Sequence, residues 1–222
     1  TKYSNTIKVA KEVIGIQPGY KHFATMHILN SKKGTYFLAD TLINRHPDTE
    51  TLVDIAKLSK ETVEFFNHTP VMAMLSYSNF GSDNEGSPAK VHEAIDIIQR
   101  EYSDLAIDGE MQVKFAMNKE ARDERYPLTR LKGKDVNTLI FPNLSSANAT
   151  YQLIQSMSET EVIGPIQMGL NKPIHFTDCE ASVRDIVNIT AVAVIDAIVQ
   201  KKMKQWEDRY QPYNLLYSSY YG

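Results

Sequence analysis

The stretch VMAML (Val71–Leu75) constrains the fold more than any other part of the chain. It is apolar at every position, so it has no polar face to give to water, and it is strand-length. A strand buried on both faces is the mark of a parallel sheet covered by crossover helices. The surrounding pattern agrees. FATMHIL and TYFLAD flank NSKKG, which predicts an antiparallel hairpin. DTETLVDIAKLSKETVEFF then places Leu52, Ile55, Ala56, Leu58, Val63 and Phe66 close to helical spacing. Downstream, a helix is expected from about Ser87 with Pro88 at its first position, a strand in DLAID and a helix in MQVKFAMNKEARDE. NTLIFPNL reads as a strand, ANATYQLIQSM as a helix and EVIGPIQMGL as a strand-to-loop run, before Ser182 opens a long final helix. This alternation predicts an α/β protein, three-layer αβα, around a mixed, mostly parallel sheet.

The 222 residues, 42% hydrophobic, suffice for a sizeable core. A net charge of −3 argues against nucleic acid as the main partner, because phosphate binding needs a basic field. Cys179 is the single cysteine, so no disulfide framework exists and a reducing cytoplasm is the expected location. TKYSNTIKVAKEV has no apolar core of a signal peptide, and no run reaches the roughly 20 apolar residues of a membrane span. The best candidate, Ile186 to Val199, carries Asn188 and Asp196. A start at Thr1 rather than methionine suggests a fragment or a processed product.

Several stretches could carry chemistry. The loop Ser76–Ser87 joins a strand's carboxyl end to a helix N-terminus, where open α/β sheets bind ligands and free N–H groups favour anions. Ser76, Ser78, Asn79, Gly81, Ser82 and Gly86 would let the backbone approach a phosphate or a pantetheine amide; an ordinary solvated crossover loop is the alternative. The histidines never fall at i, i+3 or i, i+4 spacing with one another, so no metal site is expected. Asp104, Asp108 and Glu110 around Gly109 read as a turn with solvated carboxylates. Asn143 ends a strand, and Asn148, near a helix start, reads as a cap. Ser182-Val183-Arg184-Asp185 fits a capping box, with Asp185 also complementing the helix dipole. Cys179, just upstream, lies where a helix N-terminus could activate a thiol. The helix that follows is apolar nearly all round and is expected to be buried. The tail YQPYNLLYSSYYG reads as a terminal segment docked on a neighbouring surface.

Taken in order and spacing, MLSYSNFGS, AIDGEMQ, TLIFPNLSSANATYQLIQ and IGPIQMGLNKPIH followed by DIVN resemble the phosphotransacetylase (phosphate acetyltransferase) family from about Asn5 to Lys201. The resemblance implies two α/β subdomains of the isocitrate-dehydrogenase-like kind with the ligand between them. Residues 13–161 would form the second subdomain, and 162–222 would return to a first one whose remainder lies upstream of Thr1. In catalytic members a serine and an arginine precede the last helix and an aspartate opens it. The aspartate is kept as Asp185, but the serine and arginine positions hold Asp178 and Cys179. Losing one transition-state donor costs about 10²–10³ in rate, so the resemblance implies a disabled active site with no catalytic residue in place.

Phe80, Glu110 with Met111, His175 and ASVRDIVN are most similar to the phosphotransacetylase-like domain of hybrid NADP-dependent malic enzymes. That branch implies a regulatory domain binding acetyl-CoA as feedback inhibitor. NADP and a divalent metal would belong to a linked N-terminal malic domain, and the whole would be a homo-oligomer, dimeric through this module. Tyr77, Ser78, Asn79, Gly81 and Ser82 would contact pantetheine or pyrophosphate. Asn143, Asn148, Gly164, Pro165 and Lys172 would line the rest of the cleft, with Arg130, Lys132 and Arg184 as candidate phosphate contacts. An active phosphate acetyltransferase and a pure assembly module are the alternatives.

Overall fold

A computed structural model of the chain describes residues 3–157, 160–177 and 179–218, with side chains described from 5 to 205 within those ranges. The hairpin comes first in the sheet: β1 (Ala24–Ser31) and β2 (Gly34–Ala39) pair antiparallel from Met26 with Ala39 to Ser31 with Gly34. β3 (Val71–Leu75), β4 (Ala106–Met111) and β5 (Thr138–Ile140) run parallel to one another and to β2. β6 (Glu161–Met168) returns antiparallel to β1 and so points the same way as β2. The six-stranded order is β4-β3-β5-β2-β1-β6, mixed and mostly parallel as expected.

The uniformly apolar run behaves as a doubly covered strand should. Met72 and Met74 of β3 enter one core with Phe37, Ile107 and the inner faces of α2 (Thr49–Phe65) and α3 (Gly86–Glu101). Ala73 and Leu75 enter a second core with Leu38, Met111, Ala116 and Ala147. The strand's period of two thus feeds both faces, and each large side chain so buried contributes about 1.5–3 kcal/mol. α2 starts where Asp48 accepts from the Thr51 N–H (2.8 Å) and hydroxyl (2.7 Å), bonds that hold its carboxyl below the usual range.

Five expectations are corrected. Pro88 sits at the third helical position of α3, because Gly86 already opens it. MQVKFAMNKEARDE is two helices, α4 (Val113–Met117) and α5 (Lys119–Arg125). Asn118 ends the first and caps the second through the Ala121 N–H (2.9 Å). The break places Arg122 in the interior, where its guanidinium donates to the carbonyls of Leu131 (2.9 Å) and Lys134 (2.7 Å). α6 (Leu144–Met157) begins before Asn148, so the cap falls to Asn143, whose Oδ1 accepts the Ser146 N–H at 2.9 Å. Asp108 and Glu110 are buried strand residues rather than a solvated turn, since both find donors from distant loops.

The fifth concerns α7 (Val183–Ser218), which is exposed where burial was expected. Among its described side chains only a stripe, Ile189 and Val192, packs into the core against β6; Val187 and Ile195 remain 59% and 50% exposed. A helix laid on an edge strand has one face to bury, whatever its composition. α1 (Tyr3–Ile14), which the sequence reading left unassigned, places Ile7 against Phe23 and Leu170. No helix of the described residues is long and apolar enough to cross a membrane. The tail beyond Ser218 lies outside the described residues.

Candidate functional site

The carboxyl ends of β3, β4, β5 and β2 share one end of the sheet, and four connections gather there. Loop 76–85 follows β3 and Gln112 follows β4. Phe141 to Asn143 follow β5, and residues 40–48 follow β2. Asp40, 3% exposed, anchors its own loop: its Oδ1 accepts from the Thr25 N–H (2.9 Å) and hydroxyl (2.7 Å), its Oδ2 from the Asn44 N–H (2.6 Å) and side-chain amide (2.7 Å). The Thr41 hydroxyl, 3.2 Å from that of Thr25, lies 2.8 Å from His27 Nδ1. His27 stacks on Tyr151 at 4.2 Å, and burial pushes its imidazole down to about 4.

Glu110 organises the loop after β3. Fully buried, its Oε1 accepts from the Ser78 hydroxyl (2.9 Å) and the Gly81 N–H (2.8 Å), and its Oε2 lies 3.3 Å from His92 Nδ1. Its carbonyl accepts the Phe80 N–H, and the Phe80 ring packs on Tyr126 at 4.6 Å. Two further loop N–H groups are also used internally. The Asn79 N–H goes to the Ser82 hydroxyl (3.0 Å), and the Asp83 N–H to the Ser78 hydroxyl (3.0 Å). This cradle already holds an anion, the Glu110 carboxylate. Among the expected residues, Ser78 is buried and spent on the fold, while Tyr77 is 65% exposed with its hydroxyl on Asp83 (2.9 Å). Asn79 Oδ1 accepts the Gln112 N–H (2.9 Å). Gly81, at φ +79°, takes a backbone shape that a side chain disfavours.

The remaining expected residues divide. Asn143 stands at this sheet end and caps α6, while Asn148, a turn further along, accepts from Gln152. Gly164 and Pro165 lie within β6, Gly164 pressed so close to His27 that a Cβ would fall 2.7 Å from its ring. Lys172 is exposed in the loop after β6. Arg130 and Arg184 point elsewhere. Arg130 reaches the Ser103 carbonyl (3.2 Å) ahead of β4, and Arg184 pairs with Glu161 (2.7 Å) at the start of β6, both at the opposite end of the sheet. Lys132 is exposed beside Arg130. The Ser182–Asp185 capping box is present: Asp185 Oδ2 accepts from the Ser182 N–H (2.9 Å) and hydroxyl (2.7 Å). Cys179 is exposed, and Asp178 lies outside the described residues.

The sequence reading missed the anchors Asp40 and Gln112 and gave Glu110 and Asp108 the wrong setting. Asp108 Oδ2 accepts from the Thr129 hydroxyl (2.7 Å) and the Arg130 N–H (2.8 Å). The available signal was a carboxylate inside an apolar run, IDGEM, which burial permits only with paired donors.

The family model for phosphate acetyl/butaryl transferases matches residues 1–194. The chain belongs to that family. It is 40% identical over 196 residues to an NADP-dependent malic enzyme of Salmonella typhimurium, covering 88% of this chain and 26% of that protein. A phosphate acetyltransferase of Bacillus subtilis is 30% identical over 195 residues, covering 88% of this chain and 60% of the relative. A phosphotransacetylase structure from Streptococcus pyogenes superposes with TM-score 0.83 at 32% identity, over 89% of this chain and 60% of that one. The chain therefore spans about a quarter of this malic enzyme and 60% of these two transferases. It is homologous both to phosphotransacetylases and to the phosphotransacetylase-like part of NADP-dependent malic enzymes.

Proposed function

We propose that this chain is a non-catalytic regulatory module of an NADP-linked, cytoplasmic malic enzyme, which binds acetyl-CoA as a feedback signal and supports dimerisation. The observation that carries the reading is the fate of the phosphate clamp. Where catalytic relatives are expected to hold an arginine stands the exposed thiol of Cys179, and the neighbouring cation Arg184 is committed to Glu161. The serine position is Asp178, a carboxylate that would repel acetyl phosphate.

Acetyl-CoA fits the sheet end through its pantetheine arm rather than its phosphates, because Glu110 already takes the Gly81 N–H and the Ser78 hydroxyl, and its buried carboxylate would face a phosphate. Tyr77, Asn79 and Gly81 would face the arm, with Ser78 and Ser82 shaping the loop; Asn143, Asn148, Gly164 and Pro165 would complete the cleft, whereas Lys172 lines a different cavity, beside α7. Arg130, Lys132 and Arg184 lie too far round the sheet to join this arm as they stand. A coupling worth about 1–3 kcal/mol between this site and a linked malic domain, which would carry the NADP and the divalent metal, suffices for feedback.

Calorimetric titration of acetyl-CoA, paired with an assay for acetyl-CoA formation from acetyl phosphate and CoA, tests the reading. Saturable binding without turnover is expected, and Gly81→Trp should abolish the binding while the protein stays folded. Turnover would instead favour an active transferase, which the retained Asp185 supports. Absence of binding in a folded dimer would favour a pure assembly module, for which the exposed apolar residues of α7 speak.

A further inference from the structure

On the α2 face of the sheet, away from loop 76–85, a cavity of about 1100 Å³ opens between α2, the end of β6 and α7. Its volume is at the upper end of ligand sites. The apolar wall is made by Leu58 and Phe65 of α2, Met168 of β6 and Val192 of α7. The charged groups divide sharply. Each acid on the wall is answered within the fold. Glu61 accepts from the Tyr20 hydroxyl, whose pKa is pushed up by burial and then by this bond, so it stays protonated as donor. Glu64 pairs with Lys60 (2.9 Å). Asp196 accepts from Gln200 (3.2 Å) and lies 3.5 Å from His175 Nε2. His175 Nδ1 accepts the Gln167 N–H (3.1 Å), so the ring hydrogen of the neutral form sits on Nε2, facing that carboxylate.

The bases are not answered. Lys172, Lys201 and Lys204 line the same cavity, and none has a hydrogen bond or ion pair among the described residues. An apolar wall edged by three uncompensated ammonium groups has the complement of an amphipathic anion. We propose that this cavity is a second binding site, for a small ligand with an apolar body and a carboxylate or phosphate head. The body lies against Leu58, Phe65, Met168 and Val192, and the head meets the lysines. The floor is firm: backbone bonds from Gln17 to Gly169 (2.9 Å) and from Asn171 to Gly15 (3.0 Å) tie its rim together.

The probe is anilinonaphthalene sulfonate, which has an apolar body and an anionic head, compared with uncharged N-phenylnaphthylamine. Saturable fluorescence at one site per chain is expected, with the sulfonate at least tenfold tighter than the uncharged ring. The triple variant Lys172→Glu, Lys201→Glu, Lys204→Glu should weaken the sulfonate about tenfold or more and leave the uncharged ring unchanged. These lysines are exposed, so the variant folds; a circular dichroism melt confirms it. Leu58→Trp, which fills the cavity, should displace both probes, whereas Gly81→Trp, in the loop after β3 and outside the cavity lining, should displace neither. Competition by hexanoate or by phenyl phosphate assigns the head group. Equal affinity for both probes, or no effect of charge reversal, would overturn the proposal and reduce the signal to the exposed apolar face of α7. Failure of acetyl-CoA to bind elsewhere leaves these outcomes unaffected.

Discussion

Glu110→Ala should loosen the loop that follows β3 and lower the stability of the whole protein. The wild-type carboxylate satisfies a buried hydroxyl, that of Ser78, and the N–H of Gly81. Truncation strands the Gly81 N–H, while the Ser78 hydroxyl can still turn to Ser82, 2.8 Å away; a buried unsatisfied group costs about 1–3 kcal/mol. Loss of the packed side chain adds to this and relief of the carboxylate's own desolvation offsets part of it, so a net destabilisation of about 1–3 kcal/mol is expected. For a chain of this size that is a fall in Tm of about 2–12 °C. Glu110→Gln keeps an oxygen for Ser78 and Gly81 and offers an amide to His92, so it should lose only about 1 kcal/mol. Thermal unfolding by circular dichroism gives the stabilities, and amide exchange at Gly81 reports the loop. If Glu110→Ala melts within about 1 °C of wild type with Gly81 exchange unchanged, the carboxylate does not anchor the loop.

Other predictions rest on separate features. His27 holds a pKa of about 4 because it is buried, against 6.5 in the open chain. The unfolded state therefore binds the proton first on acidification: stability is fully present above pH 6.5 and is lost as pH falls towards 4, by about 3 kcal/mol in all. Urea unfolding between pH 4 and 7 should show this slope, and His27→Gln should flatten it; an NMR titration that finds His27 protonating near pH 6.5 would disprove the assignment. Gly109→Ala places a Cβ 2.5 Å from the Met74 carbonyl at φ +145°, and should cost about 3 kcal/mol or more in urea unfolding; a loss under about 1 kcal/mol would show that β4 can shift. Arg184→Ala breaks an ion pair whose arginine side chain is 73% exposed, so its unfolding midpoint should stay within about 0.5 kcal/mol of wild type. A larger loss would mean that Arg184 has a role beyond pairing with Glu161.

The parts of the fold visible in the sequence are those decided locally. VMAML carries its double burial in its own composition, and the Lys32–Lys33 turn with Gly34 announces the hairpin. The Ser182–Asp185 capping box needs only four consecutive residues. α7 shows the opposite case. Its apolar composition is local, but whether a given face is buried depends on which surfaces come to meet it, and among the described residues β6 covers only the stripe of Ile189 and Val192. The family resemblance supplied the α/β architecture as a whole, but the antiparallel pairing of β6 with β1 is set by a partner more than 130 residues away and could not be read from periodicity.

The candidate site was legible in position and not in chemistry, because its chemistry is settled across long sequence distances. Ser78, Asn79 and Gly81 look in sequence like free donors at a helix N-terminus. Whether they are free is decided by Glu110, 29 residues beyond Gly81, and by Gln112, 33 beyond Asn79. Once that carboxylate is seated, a second anion in the same cradle would meet an occupied N–H and a buried like charge. Recognition at this sheet end must then rest on groups the loop presents outward, such as the exposed Tyr77 ring, and on shape. The same reasoning separates the two proposed sites. At the sheet end an internal acid has consumed the donors, whereas in the cavity beside α7 the acids are internally answered and the lysines are left over. An anionic head group is therefore favoured in the cavity and disfavoured at the loop, so the sulfonate probe and acetyl-CoA should bind this chain independently.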